Sequence, residues 1–231
     1  MHRVYELDPA FRLKILPATP ATPAAIEARI EVIWAEEKRR RGASLYDGRA
    51  YSLAERTQTL LSLRETDYRH LLAQRRDPEL YAALGLRPVG VTGILICREG
   101  VVLGLRADHV AADAGLWEPA PAGGLDRPDP AAQLMEELAE ELGVAPARVK
   151  PPLVRGLIED TESHVLDILY RIETDMAEAE LRAAQRAAGS DEYAELAVVA
   201  PSDLLGFLAA RKDRLLPALR AMLRLGGLPP S

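Results

Sequence analysis

The stretch Asp129-Pro-Ala-Ala-Gln-Leu-Met-Glu136-Glu137-Leu-Ala-Glu140-Glu141-Leu-Gly143-Val144 decides how this chain is read. Asp129 is a good N-cap residue, Pro130 suits the first helical position, and Gly143 is a natural stop. Helical spacing gathers Ala131, Leu134, Met135, Leu138 and Leu142 on one side. It puts Glu137, Glu140 and Glu141 within about 100° of arc on the other, with Glu136 beside Glu140. The segment therefore predicts a short helix with a core face and a compact carboxylate face.

No lysine or arginine on that helix offsets the charge. Glu136/Glu140 and Glu137/Glu141 are like-charge pairs one turn apart, each costing roughly 0.2–0.5 kcal/mol. Glu140 and Glu141 also lie in the last turn, where the helix dipole disfavours anions. A bound cation removes both costs. Carboxylates at i, i+3 and i+4 suit Mg²⁺, a hard ion that prefers oxygen and keeps waters for substrate phosphates. The competing reading is a solvated acidic face with Arg148 or Lys150 nearby.

Working outward, Val89–Cys97 and Val101–Arg106 read as strands, followed by an irregular Gly/Pro-rich passage, Ala107–Pro128. Beyond the helix, Leu153–Glu159, His164–Thr174 and Glu195–Ala200 read as strands, and Ala177–Ala188 as helix or loop. Helices are expected from Pro201-Ser202 and over Arg214–Leu225, with a loose tail at Gly226–Ser231. Towards the N-terminus, strands are expected at Arg3–Leu7 and Phe11–Leu16. A turn at Pro17–Pro23 leads into a helix over Ala24–Arg41 that ends near Gly42. Asp47-Gly48 suits a type I′ turn and predicts a hairpin over Leu45–Leu53, with a further strand at Thr57–Leu63. Thr66 or Asp67 caps a helix through Gln74, and another lies near Pro78–Leu84. The expected fold is α/β, a mixed sheet between helices in an α/β/α sandwich, with an N-terminal α+β extension. The expected division is 1–87 for the extension and 88–231 for the main domain.

The chain has 231 residues, 48% of them apolar, enough for a sizeable core. Its net charge of −6 argues against a general nucleic-acid binder. Lysine occurs only at Lys14, Lys38, Lys150 and Lys212, and the single Cys97 excludes a disulfide framework or a cysteine zinc site. The N-terminus has no apolar run of signal-peptide type, and no run is long enough to span a membrane. A soluble cytoplasmic protein is the expectation.

The order Trp117-Glu118, Pro121-Ala-Gly-Gly124, Glu137-Leu-Ala-Glu-Glu-Leu-Gly-Val144 resembles the Nudix hydrolase signature. The family pattern is a glycine, five residues, a glutamate, seven residues, then R-E-U-x-E-E-x-G-U with U aliphatic. Gly124 matches the opening glycine, and Glu137, Leu138, Glu140, Glu141, Gly143 and Val144 match the second half. Two positions depart. Glu136 stands where the family has an arginine that orients a glutamate of the signature. The loop is also two residues short, which leaves Pro130 at the position of the first glutamate, with Asp126 or Asp129 as partial substitutes. Tyr46-Asp-Gly48, Thr66-Asp-Tyr-Arg69, Gly90-Val-Thr-Gly93 and His164-Val-Leu-Asp167 make the layout similar to a branch acting on UDP-glucose and related UDP-sugars.

The resemblance implies Mg²⁺- or Mn²⁺-dependent hydrolysis of a nucleoside diphosphate linked to another moiety, most plausibly a UDP-sugar. Glu137, Glu140 and Glu141 are the implied metal ligands. The general base stays open among the signature glutamates and Glu192. Arg106, Glu118, Gly123 and Gly124 are candidates for substrate binding, although Glu118 is as readily a loop salt bridge and the glycines a tight turn. Arg69 and Arg87 are weaker candidates. Glu159, Asp160 and Glu162 form a second acidic cluster, more readily an exposed turn than a ligand set. His109 and His164 are isolated, and Trp117 either stacks on a ligand or packs in the core. Many members of the family dimerise, and no interface signature stands out here. The rival reading is a non-catalytic nucleotide-sugar-binding module with a degenerate signature.

Overall fold

The computed structural model describes residues 1–17, 21–42, 45–110 and 112–228. Parts of the turn expected at Pro17–Pro23, of the passage Ala107–Pro128 and of the tail Gly226–Ser231 lie outside the described residues. Eleven strands and seven α-helices are described. The N-terminal part holds β1 (His2–Tyr5), β2 (Arg12–Ile15), α1 (Ala24–Arg41), β3 (Arg49–Arg56), β4 (Leu60–Asp67), α2 (Tyr68–Arg76) and α3 (Tyr81–Leu84). Then come β5 (Val89–Ile96), β6 (Val101–Arg106), β7 (Trp117–Pro119), β8 (Ala122–Gly124), α4 (Pro130–Leu142) and β9 (Leu153–Asp160). The chain closes with β10 (Leu166–Glu173), α5 (Glu178–Ala188), β11 (Tyr193–Val199), α6 (Leu204–Ala210) and α7 (Leu219–Leu225).

The large mixed sheet runs β1-β9-β10-β5-β6-β11, with β10 and β5 parallel. Alternation along its strands divides the apolar side chains between two faces. Val91, Leu95, Ile168 and Ile172 pack with Leu134, Leu138 and Leu142 of α4 and Leu181 of α5. Ile94, Leu103, Leu169 and Ile158 pack with Leu204 and Leu208 of α6 and Leu219 and Met222 of α7. The sheet between helices is therefore present as expected.

The hairpin expected at Asp47-Gly48 lies elsewhere. β3 pairs with β4 across residues 57–59, and the Thr57 amide donates to the Leu60 carbonyl. Asp47 and Gly48 receive the start of α2 instead: Asp47 Oδ1 accepts from the Arg69 amide at 2.9 Å, and the Gly48 carbonyl from the Tyr68 amide. Side-chain acceptance of a helix amide outweighs the turn preference of the dipeptide here. β2 joins the same small sheet in the order β2-β4-β3. β1, expected in the extension, pairs with β9 and so belongs to the large sheet. The division near residue 88 is therefore a proposal with one strand crossing it.

One feature of the large sheet makes room for a site. β5 and β6 meet at Ile96 and Val101, then part. β8 pairs with the opened edge of β5, and β7 with that of β6. The split sets the backbone at Ala122–Gly124 of β8 beside α4, with Glu118 on β7 paired to β6.

Candidate functional site

α4 forms as its sequence dictates. Asp129 Oδ1 accepts from the Ala132 amide at 3.0 Å, and Gly143 closes the helix in the left-handed region at φ 66°. A side chain at Gly143 would also collide with the Ala184 carbonyl of α5, 2.2 Å from the added carbon. Asp129 thus acts as the helix cap through Oδ1.

The carboxylates do not share one solvated face. Glu140 is exposed and Glu136 half-buried, whereas Glu137 turns inward and Glu141 is only 6% exposed. The reason is the split sheet, which brings polar backbone onto the flank of the helix. Glu141 Oε2 accepts from the Ala122 amide at 3.1 Å and from the Tyr193 hydroxyl at 3.0 Å. Glu137 lies against Gly123, where an added methyl would stand 2.1 Å from Glu137 Oε1. Gly123 is required for this approach, while Gly124 faces open space.

Opposite α4, Arg106 Nη1 bonds Glu118 Oε1 at 2.6 Å, and its Nη2 pairs with Glu192 Oε1 at 2.7 Å. Its Nε donates to the Ala112 carbonyl at 2.8 Å. Both arms of this guanidinium are directed into protein. The Tyr193 hydroxyl stands 3.5 Å from Glu118 Oε1, so it links the Glu118–Arg106–Glu192 group to Glu141. Tyr193 itself lies over Gly104, where any side chain would overlap its ring.

Burial dominates the electrostatics. It pushes the Glu141 carboxyl up to about 9, with help from the neighbouring Glu137 charge. Glu137 rises to about 7 by burial, although the bond from Gln133 opposes the shift, and Glu140, Asp126 and Glu136 add to it. Glu118 also rises to about 7 through burial, with Arg106 pulling the other way. Arg106 is engaged by Glu118 and Glu192 rather than by Glu137 or Glu141, and α4 itself supplies no positive charge. Such a carboxylate pair is relieved by an added cation.

Among the described residues no three of His, Cys, Asp and Glu stand close enough together to enclose a metal ion as placed. The donor chemistry nevertheless fits a hard divalent ion: Glu137 and Glu141 are carboxylates one turn apart, one half-buried and one buried, and neither forms an ion pair among the described residues. Glu140 sits at the exposed rim of that pair.

Several expected residues serve structure. Trp117 is 2% exposed and meets Phe207 edge-on at 5.0 Å, so it packs. His164 stacks on Tyr81 at 3.8 Å, and exposed His109 faces Asp191 at 3.3 Å. Arg69 is held by Glu27, Glu31 and Asp47, and Arg87 by Glu159. Sequence reasoning missed Tyr193 and Gln133. Tyr193 adjoins Glu192, but only the pairing of β11 with β6 reveals that it reaches Glu141. Two open depressions, of about 330 and 180 Å³, lie along β11 and beside Gly85–Arg87, and neither is lined by this carboxylate group.

No family model matches the chain, and no curated protein matches it. Solved structures similar to it include the MutT protein from Methanosarcina mazei Go1, at 17% identity over 61% of this chain and 92% of that one, TM-score 0.45. The MutT NUDIX hydrolase from Burkholderia pseudomallei gives 22% identity over 60% and 96%, TM-score 0.45. The NUDIX domain of Shewanella oneidensis NrtR, complexed with ADP ribose, gives 14% over 65% and 96%, TM-score 0.44. Two of these three carry the name of the family whose signature the α4 segment resembles. Likeness at this level fixes no activity for this chain.

Proposed function

We propose that the protein is a Nudix-type diphosphatase that hydrolyses a nucleoside diphosphate joined to another moiety, with a UDP-sugar as the first candidate. The observation that carries this reading is the pair Glu137 and Glu141, one turn apart on α4 and turned against the backbone at Ala122–Gly124. Those two residues would hold Mg²⁺ or Mn²⁺, with Glu140 at the rim. The bound ion supplies charge neutralisation at phosphate oxygens.

The chain's own groups do the rest. Tyr193 and the Ala122 amide fix the direction of Glu141. Arg106 pairs with both Glu118 and Glu192 and offsets part of their charge. Glu192 is the more accessible of these two carboxylates, and it remains a candidate base for taking a proton from attacking water. Glu137 and Glu141 are the alternatives. For Arg106 to meet a diphosphate it must release Glu192, so substrate and Glu192 compete for one guanidinium.

The test is turnover with Mg²⁺ across UDP-glucose, ADP-ribose, NADH and CoA. Glu141→Gln keeps the size of the side chain and is expected to lower kcat by at least about a hundredfold. An active Glu141→Gln protein defeats the metal assignment. The commitment of both arms of Arg106 to protein favours one second reading, a nucleotide-sugar-binding module without turnover. Calorimetric binding of UDP-glucose with no monophosphate product would select it.

A further inference from the structure

We infer that Gln133 is the positioning residue for Glu137, held in place by Arg127, and that this relay does the work for which the resembled signature uses an arginine at position 136. The inference rests on the proposed cation site. Gln133 is 4% exposed, and a buried amide has to spend its polar atoms within the protein. It spends them along one line. Arg127 Nε donates to Gln133 Oε1 at 3.0 Å, and Gln133 Nε2 donates to Glu137 Oε1 at 2.8 Å. The direction is unambiguous, because arginine only donates: Oε1 must face Arg127, which turns Nε2 towards the carboxylate.

Arg127 is itself anchored. Its Nε also bonds Asp126 Oδ1 at 2.9 Å, and its Nη2 forms an ion pair with Glu136. Glu136 therefore has a use at the position where the signature departs: it receives an arginine that arrives from the loop before the helix. Gln133 and Glu137 are four residues apart on one helix face, where an amide–carboxylate bond forms without distortion. By occupying Oε1, the amide leaves Oε2 of Glu137 as the oxygen offered to a cation. Outer hydrogen bonds of this kind orient a ligand and tune its affinity.

The experiment is titration of the full chain with Mn²⁺ alone, followed by electron paramagnetic resonance, together with thermal melting. Gln133→Met keeps length and apolar bulk and removes the amide. It is expected to weaken Mn²⁺ binding roughly ten- to a hundredfold, by analogy with other outer-shell partners. Arg127→Met, at a side chain that is 40% exposed, is expected to weaken it less while leaving the fold intact. A purely structural role would lower the melting temperature of Gln133→Met and leave the affinity of the folded protein unchanged, and that result overturns the inference. Should Gln133→Met fail to fold, the side-chain amide signals of Gln133 decide: they must shift in Glu137→Gln, and unmoved signals overturn the inference. A wild-type chain that binds no Mn²⁺ defeats the cation site itself, and this outcome is distinct from wild-type binding that Gln133→Met fully retains.

Discussion

At the residue scale, the clearest contest between burial and charge is at Glu159. Its side chain is 5% exposed and accepts from the Tyr5 hydroxyl at 2.5 Å and from Arg87 Nη2 at 3.1 Å. Burial pushes this carboxyl up, yet the bonds from Tyr5 and Arg87 outweigh it and hold the carboxyl below its ordinary value. The folded state thus keeps Glu159 ionised to lower pH than the unfolded chain does. Its stabilisation is present above the ordinary carboxylate pKa of 4.5 and is lost as pH falls through the lower folded value. Glu159→Gln is expected to cost about 1–3 kcal/mol in urea denaturation at neutral pH, as for a hydrogen bond to a charged group. The gap to wild type should close on acidification; a gap independent of pH would refute the ionic role. The sequence places Glu159 with Asp160 and Glu162 in a turn, and Asp160 and Glu162 do behave so, with Asp160 Oδ1 accepting from the Glu162 amide at 2.9 Å. Glu159 differs because Tyr5 and Arg87 reach it from 154 and 72 residues away, which no local pattern reports.

At the element scale, α4 is the most legible part of the chain. Its N-cap, its first-turn proline, its apolar stripe and its glycine stop all act within one helix, where spacing determines direction. Two substitutions probe how the helix is held. Leu138 is fully buried between α4 and the sheet, and Leu138→Ala is expected to cost about 2–5 kcal/mol. Gly143→Ala meets both a left-handed φ and the Ala184 carbonyl, and it is expected to cost at least about 1 kcal/mol. Chemical denaturation checks both, and a neutral Gly143→Ala would show that the α4–α5 contact relaxes freely. The same helix also shows where periodicity stops informing. Glu137 and Glu140 are neighbours by angle, but one is half-buried and the other exposed, because β8 covers only one flank. The Asp47-Gly48 dipeptide fails as a hairpin signal for a related reason: its acceptors are claimed by α2.

At the scale of the whole molecule, β1 fastens the first residues of the chain to β9, at the end of the large sheet. Removing residues 1–7 would bare the β9 edge and take Tyr5 from Glu159. Such a chain is expected to melt at lower temperature and to self-associate in size-exclusion chromatography; an unchanged monomeric profile with an unchanged melting temperature would show that β1 is dispensable. No described helix is long and apolar enough to cross a membrane. By itself the sequence determined the mixed α/β architecture, the bounds of α1 and α4, and the concentration of carboxylates at Glu137, Glu140 and Glu141, since each depends on spacing within one segment or on composition. The tertiary structure alone decided that Glu141 is buried while Glu140 is exposed, that Tyr193 bonds Glu141, and that Arg106 is engaged by Glu118 and Glu192. These contacts join different strands and helices: β11 brings Tyr193 and Glu192 to β6, and the parting of β5 and β6 lets β7 and β8 in between.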